Sequence, residues 1–196
     1  MKHHKKPILH RILILAGSIL LVSAITILVL FQWNIHASRQ QSLDCVQALR
    51  ALIPSPQSAV LEERRDNAMP VLSLEGTDFM GILEFPLYDS VLPVSADWGN
   101  PLRYPHRLSG SIYDSSLQIG GTSQAGQYDF YRQVSVGDSL FFTDMEGNRY
   151  TLEVTNLRYE KHADQAALQR YDAPLTLFIK NIYAFDYLIV FCNSPL

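Results

Sequence analysis

Residues able to carry covalent or acid–base chemistry are few in this chain of 196 residues, and their spacing excludes most familiar arrangements. Cysteine attacks as the thiolate, which forms readily near neutral pH; it occurs twice, as Cys45 and Cys192. The pair makes no CxxC and cannot hold a metal ion alone. A disulfide between them stays open, although nothing in the sequence places them together. Cys192 closes the apolar run Leu188-Ile189-Val190-Phe191, which makes it a candidate nucleophile at a strand end. His106, read as part of a Pro101–His106 loop, and His162, at the start of a late helix, are the histidines well inside the outer part of the chain, with His36 nearer the apolar segment. No HxxxH spacing is present and no metal site is expected. Ser109, Ser111, Ser123 and Asp129 are scattered and assemble no Ser-His-Asp unit. No cofactor is expected, and a net charge of −3 offers no basic face for nucleic acid.

The elements that must position any such chemistry read mainly as strands. In Pro174–Cys192, Leu175, Leu177 and Ile179 alternate with Thr176, Phe178 and Lys180, and a short connector leads to a second apolar run, Tyr187–Phe191. The spacing predicts two paired strands, one face in a core and Lys180 at a strand's end. Gly81–Pro86 and Ser90–Val94 read as strand, turn, strand, with Pro86 and Pro93 confined to strand ends or edges. Ser139–Asp144 and Arg149–Val154 read as a hairpin whose turn, Met145-Glu146-Gly147-Asn148, tolerates positive φ. Ala163–Arg170 is predicted to be a short helix, broken at Asp172-Ala173-Pro174. The abundant tyrosines read as half-buried barrel residues, with recognition anchors as the alternative.

Upstream, Ile12–Phe31 carries no charge and is long enough, at roughly 20 residues, to cross a bilayer. Lys2, Lys5, Lys6 and Arg11 precede it and Trp33 follows, which predicts a cytoplasmic N terminus and an outer domain. A cleaved signal peptide ending near Ile35-His36-Ala37 is the rival reading. Leu43, Val46, Leu49 and Leu52 fall near helical spacing, with Ser42 or Asp44 able to cap. Pro54-Ser55-Pro56 breaks that helix, and Ser58–Arg65 is predicted to form a second one ending in the solvated cluster Glu62-Glu63-Arg64-Arg65. The organisation expected is a cytoplasmic tail over 1–11, a transmembrane anchor over 12–31, a helical stalk over 32–68 and a β-barrel domain over 69–196.

Several of these phrases together resemble the sortases, the cell-surface cysteine transpeptidases of Gram-positive bacteria. Leu175-Thr176-Leu177-Phe178 matches the start of the family's Leu-Thr-Leu-x-Thr-Cys strand. Ile179 then stands where the threonine belongs, and Lys180 where the nucleophilic cysteine belongs. The family's arginine, about seven residues later, falls on Tyr187. Leu117–Thr122 resembles the strand ending Ile-Ala-Gly-His, with Thr122 at the catalytic histidine's position. The opening Gly-x-Leu/Ile-x-Ile-Pro and Leu-Pro-Val phrases match Gly81–Pro86 and Leu92-Pro93-Val94, and Val136-Gly137-Asp138 matches the Gly-Asp turn. The resemblance implies a sortase-type β-barrel with short helices, covering about Met69 to Cys192.

Sortase chemistry, as the resemblance implies it, uses a thiolate against the Thr–Gly carbonyl of an LPxTG-like signal, a histidine acid and an oxyanion-binding arginine. An ammonium near pKa 10.4 is no nucleophile unless strongly desolvated, and an amine would leave a stable amide. Threonine is no acid near pH 7, and tyrosine carries no fixed positive charge. The expectation is therefore a membrane-anchored sortase-like protein without transpeptidase activity. Its expected partners are a sorting-signal peptide, wall precursor, surface protein or pilin, or an active sortase. The alternative is an active transpeptidase or hydrolase with rearranged chemistry at Cys192 or Lys180.

Overall fold

The computed structural model describes residues 6–61, 67–97, 103–161, 173–184 and 186–195. One helix, α1 (Lys6–Leu52), precedes ten strands among the described residues: β1 (Gln57–Ala59), β2 (Leu72–Leu74), β3 (Thr77–Phe85), β4 (Ser90–Ser95), β5 (His106–Ser109), β6 (Leu117–Thr122), β7 (Ser139–Asp144), β8 (Asn148–Glu160), β9 (Leu175–Lys180) and β10 (Tyr187–Asn193). Strands β8, β10, β9, β6, β5, β4, β3 and β7 pair in that order, and β7 returns to β8. That ring is a closed eight-stranded barrel, which leaves only β1 and β2 as additions at its margins.

Period-two patterning builds it. Leu175, Leu177 and Ile179 of β9 enter the main core with Leu117 and Ile119 of β6 and Leu188 and Val190 of β10. Phe178, Ile189 and Phe191 point the other way and form a second cluster with Ala173 on the outer face. Each fully buried leucine contributes roughly 1.5–3 kcal/mol. The β7–β8 hairpin forms where expected, although β8 runs on to Glu160. Its turn is fastened by Asp144, whose Oδ1 accepts from the Glu146 and Asn148 amides and whose Oδ2 accepts from Tyr113 Oη and Asn148 Nδ2. Pro93 lies inside β4, but β4 pairs with β5 only at Ser95, so no ladder on that side needs its missing N–H. Pro86 opens a 3-10 turn just beyond β3.

Two compact units divide the chain, Met1–Ala37 and Ser38–Leu196. In the first, the apolar side chains from Ile12 to Phe31 are exposed. In the second, the end of α1 is packed rather than free: Cys45, Val46, Leu49 and Ile53 form a cluster with Phe79, Ile82 and Tyr104. Arg50 also pairs with Glu84, which holds Arg149 as well. From Ser38 onward the segment read as a stalk thus belongs to the barrel's own unit. Ser42 sits within α1 rather than at a cap, and its hydroxyl donates to the Gly126 carbonyl. The helix expected from Ser58 is also absent at its start. Pro54 and Pro56 favour an extended chain, the Gln57 amide donates to the Gly147 carbonyl, and β1 pairs in parallel with β8. Residues 62–66 and the helix expected over Ala163–Arg170, with His162 before it, lie outside the described residues.

Candidate functional site

Strands β6 and β9 run parallel and in register from Leu117↔Leu175 to Thr122↔Lys180. Strand β10 runs antiparallel to β9, with Tyr187↔Lys180 as its first pair. Thr122, Lys180 and Tyr187 are therefore direct neighbours on three adjacent strands, about 4.8 Å apart from one strand to the next. Cross-strand partners project to the same face. Two residues along each strand from this row, Phe178 and Ile189 lie in the outer cluster, so the row stands on the outside of the barrel. Strand β8 extends it, because Glu160 pairs with Tyr187.

Lys180 is exposed, Tyr187 half-buried and Thr122 buried. Thr122 Oγ1 is shielded from solvent and has no hydrogen-bond partner among the described residues. Leaving such a hydroxyl dry costs about 1–3 kcal/mol. The backbone around it is fully engaged. The Thr122 amide donates to Gln127 Oε1 at 2.8 Å, its carbonyl accepts from Tyr128, and the Ser123 amide donates to the Lys180 carbonyl. Gly121 lies under the Tyr128 ring, where an added Cβ would stand 2.5 Å from a ring carbon. The loop carrying Gln127 is pinned to α1 through Ser42 and by Arg39, whose guanidinium contacts Asp129 at 2.8 Å. A cleft of about 560 Å³ opens beside this loop, floored by Leu43, Leu92 and Phe130.

The thiols lie elsewhere. Cys192 pairs with Leu175, five residues from the Lys180 row and so about 16 Å along the strands. It points into the core beside Tyr128, fully buried, and burial pushes its thiol pKa well up. Cys45 is buried on the packed face of α1, and desolvation raises its pKa too, against a smaller opposing hydrogen bond with Tyr104. Both cysteines are free. Cys192 thus has neither the access nor the ionisation that a nucleophile needs. Lys180, the other rearranged candidate, is exposed where an attacking amine would have to be desolvated.

His106 differs from the loop residue expected. It opens β5, pairs with Gly120 and is 4% exposed, its Nε2 3.1 Å from where a Gly120 Cβ would stand. Burial lowers its pKa, partly opposed by a backbone hydrogen bond with Tyr104. It sits one row from Thr122 on the same face, a placement invisible in the sequence because only the β5–β6 register creates it. The scattered serines and Asp129 have structural duties. Ser109 Oγ bonds Gln118, Ser111 caps a 3-10 turn, Ser123 Oγ accepts from the Ile182 amide and Asp129 holds Arg39. No cluster of metal-ligating residues occurs among the described residues.

No protein-family model and no curated protein sequence matches the chain. Solved structures do. Sortase A from Corynebacterium diphtheriae superposes with a TM-score of 0.53 at 17% identity, over 83% of this chain and 82% of that one. Sortase C1 of GBS Pilus Island 1 gives 0.52 at 17%, over 59% of this chain, which spans 64% of that protein's length. Sortase C from Clostridium perfringens, solved with the C-terminal cell wall sorting motif, gives 0.51 at 14%, over 61% and 72%. The fold is the sortase fold. At these identities the likeness extends to the sortase architecture and leaves the chemistry to be argued from the row itself.

Proposed function

We propose that this chain is a membrane-anchored, extracytoplasmic sortase-fold domain that binds an extended peptide and does not catalyse transpeptidation. The observation that carries the reading is the Thr122–Lys180–Tyr187 row, a polar site on the outer face with no thiol, imidazole or guanidinium at its three positions. Both cysteines in the chain are buried, so no accessible thiolate supports an acyl transfer. The ligand class proposed is a sorting-signal-like segment of a surface protein or pilin, with an active sortase as the partner in its handling. In support, the Clostridium perfringens sortase C of the same fold was solved with such a motif. A strand-lined surface can hold an extended peptide through pockets for its side chains. Anchoring is supported by the apolar stretch of α1 and the lysines before it.

The test uses the full chain in lipid nanodiscs, incubated with LPxTG-type peptides and an amine acceptor. Mass spectrometry should find neither ligated product nor protein adduct, while fluorescence anisotropy finds saturable binding. Product or adduct would overturn the inactive reading, and absence of saturation would overturn peptide binding.

A further inference from the structure

We infer that the row of Thr122, Lys180 and Tyr187 is a carboxylate-binding site, and that the extended peptide is held there by a carboxylate of its own C terminus or of an acidic side chain. The inference rests on the peptide-binding reading and deepens it by naming the group recognised. Register puts the three side chains side by side on one face of β6, β9 and β10. Lys180 and Tyr187 offer an ammonium with three donors and a hydroxyl at the surface, with the shielded, unpartnered Thr122 hydroxyl beside them, and the row holds no anionic acceptor. None of the three has a side-chain partner among the described residues, and Lys180 forms no ion pair there. The acid next along the row beyond Tyr187, Glu160, is engaged elsewhere, contacting Arg158 at 3.4 Å. The amides at this end of the sheet are also committed, Thr122 to Gln127 and Ser123 to Lys180. A ligand must therefore be recognised by side chains. The group that complements one cation flanked by two neutral donors is a single negative charge with several lone pairs, as in a carboxylate. A neutral peptide carbonyl would gain only an ion–dipole hydrogen bond from the ammonium, without the charge–charge attraction.

Calorimetric titration of the full chain in nanodiscs at low salt tests this with four probes. They are Ac-Leu-Pro-Gln-Thr with a free C-terminal carboxylate, its C-terminal amide, the amide with Glu in place of Gln, and a scrambled tetrapeptide acid. The free acid or the Glu-containing amide should bind about tenfold or more tighter than the neutral amide, as expected for a charge-assisted contact. Whichever of the two binds tighter names the source of the carboxylate. Lys180→Gln should abolish that advantage, Tyr187→Phe should reduce it, and added salt should shrink it because the ammonium is exposed. Equal binding of acid and neutral amide overturns the carboxylate site while leaving peptide binding in place. Equal binding of scrambled and ordered acids keeps the carboxylate site and removes the sequence-reading peptide groove. No binding by any probe removes both.

Discussion

The β9–β10 pair presents a nucleophile-type side chain at each end, and the two ends are opposites. At one, Lys180 faces Tyr187 on the outer surface; at the other, Cys192 faces Leu175 with its thiol inside the barrel. The residue with the better intrinsic chemistry is in the wrong medium, because burial holds its proton in place. The residue in the right place is one whose charge must be lost before it can attack. Side-chain type alone predicts little on this sheet. Which face a residue takes, and how far along the ladder it sits, decides what it can do.

The sharpest way to break that contrast is to move the thiol. A Lys180→Cys variant should react with a maleimide at least about a thousandfold faster than Cys45 or Cys192, since a buried thiol waits for an opening of about 4 kcal/mol or more. Peptide mapping of the labelled full chain reads the site, and equal labelling of Cys192 would mean the barrel end is open. Next in size, Leu177→Ala removes a fully buried side chain on the inner face of β9, three residues along the strand from Lys180. It should cost about 2–5 kcal/mol in denaturant unfolding, whereas Lys180→Gln should stay within about 0.5 kcal/mol. Similar losses from the two would erase the distinction between inner and outer faces.

A smaller effect concerns His106, which lies on the outer face yet is buried. Its folded pKa is lowered by desolvation, so the unfolded chain binds the proton more readily. Stability from this residue is present above the unfolded histidine value near 6.5 and falls as pH drops below it. His106→Gln should flatten that part of the stability-versus-pH curve between about pH 7 and 5. An unchanged slope would mean that His106 is solvated rather than buried.

Much of the barrel was legible in the sequence because period-two alternation survives translation into structure. Leu175, Leu177 and Ile179 point inward as their spacing implies, and the Gly147 hairpin turns where it should. Local signals failed wherever a distant partner decided the outcome. Ser58 had helical neighbours, yet the ladder offered by Asn148–Tyr150 drew Gln57–Ala59 into an extended strand. His106 looked like a loop residue until β6 gave it a partner at Gly120. The three members of the row lie up to 65 residues apart and share no local pattern, so only a family resemblance suggested them jointly, and only the register brings them together. Gln127 carried no signal at all. Its role as the acceptor for the Thr122 amide exists only because the loop folds back over the strand end and α1 holds it there.

The row's position has an evolutionary consequence. Lys180 and Tyr187 stand at strand ends outside the packed interior, so they can be exchanged without repacking the leucines and isoleucines that close the barrel. Selection on the chemistry of this surface and selection on folding act on separate sets of residues. A lineage carrying this scaffold can lose one activity, or acquire another, by drifting at a few solvent-side positions while the barrel stays the same.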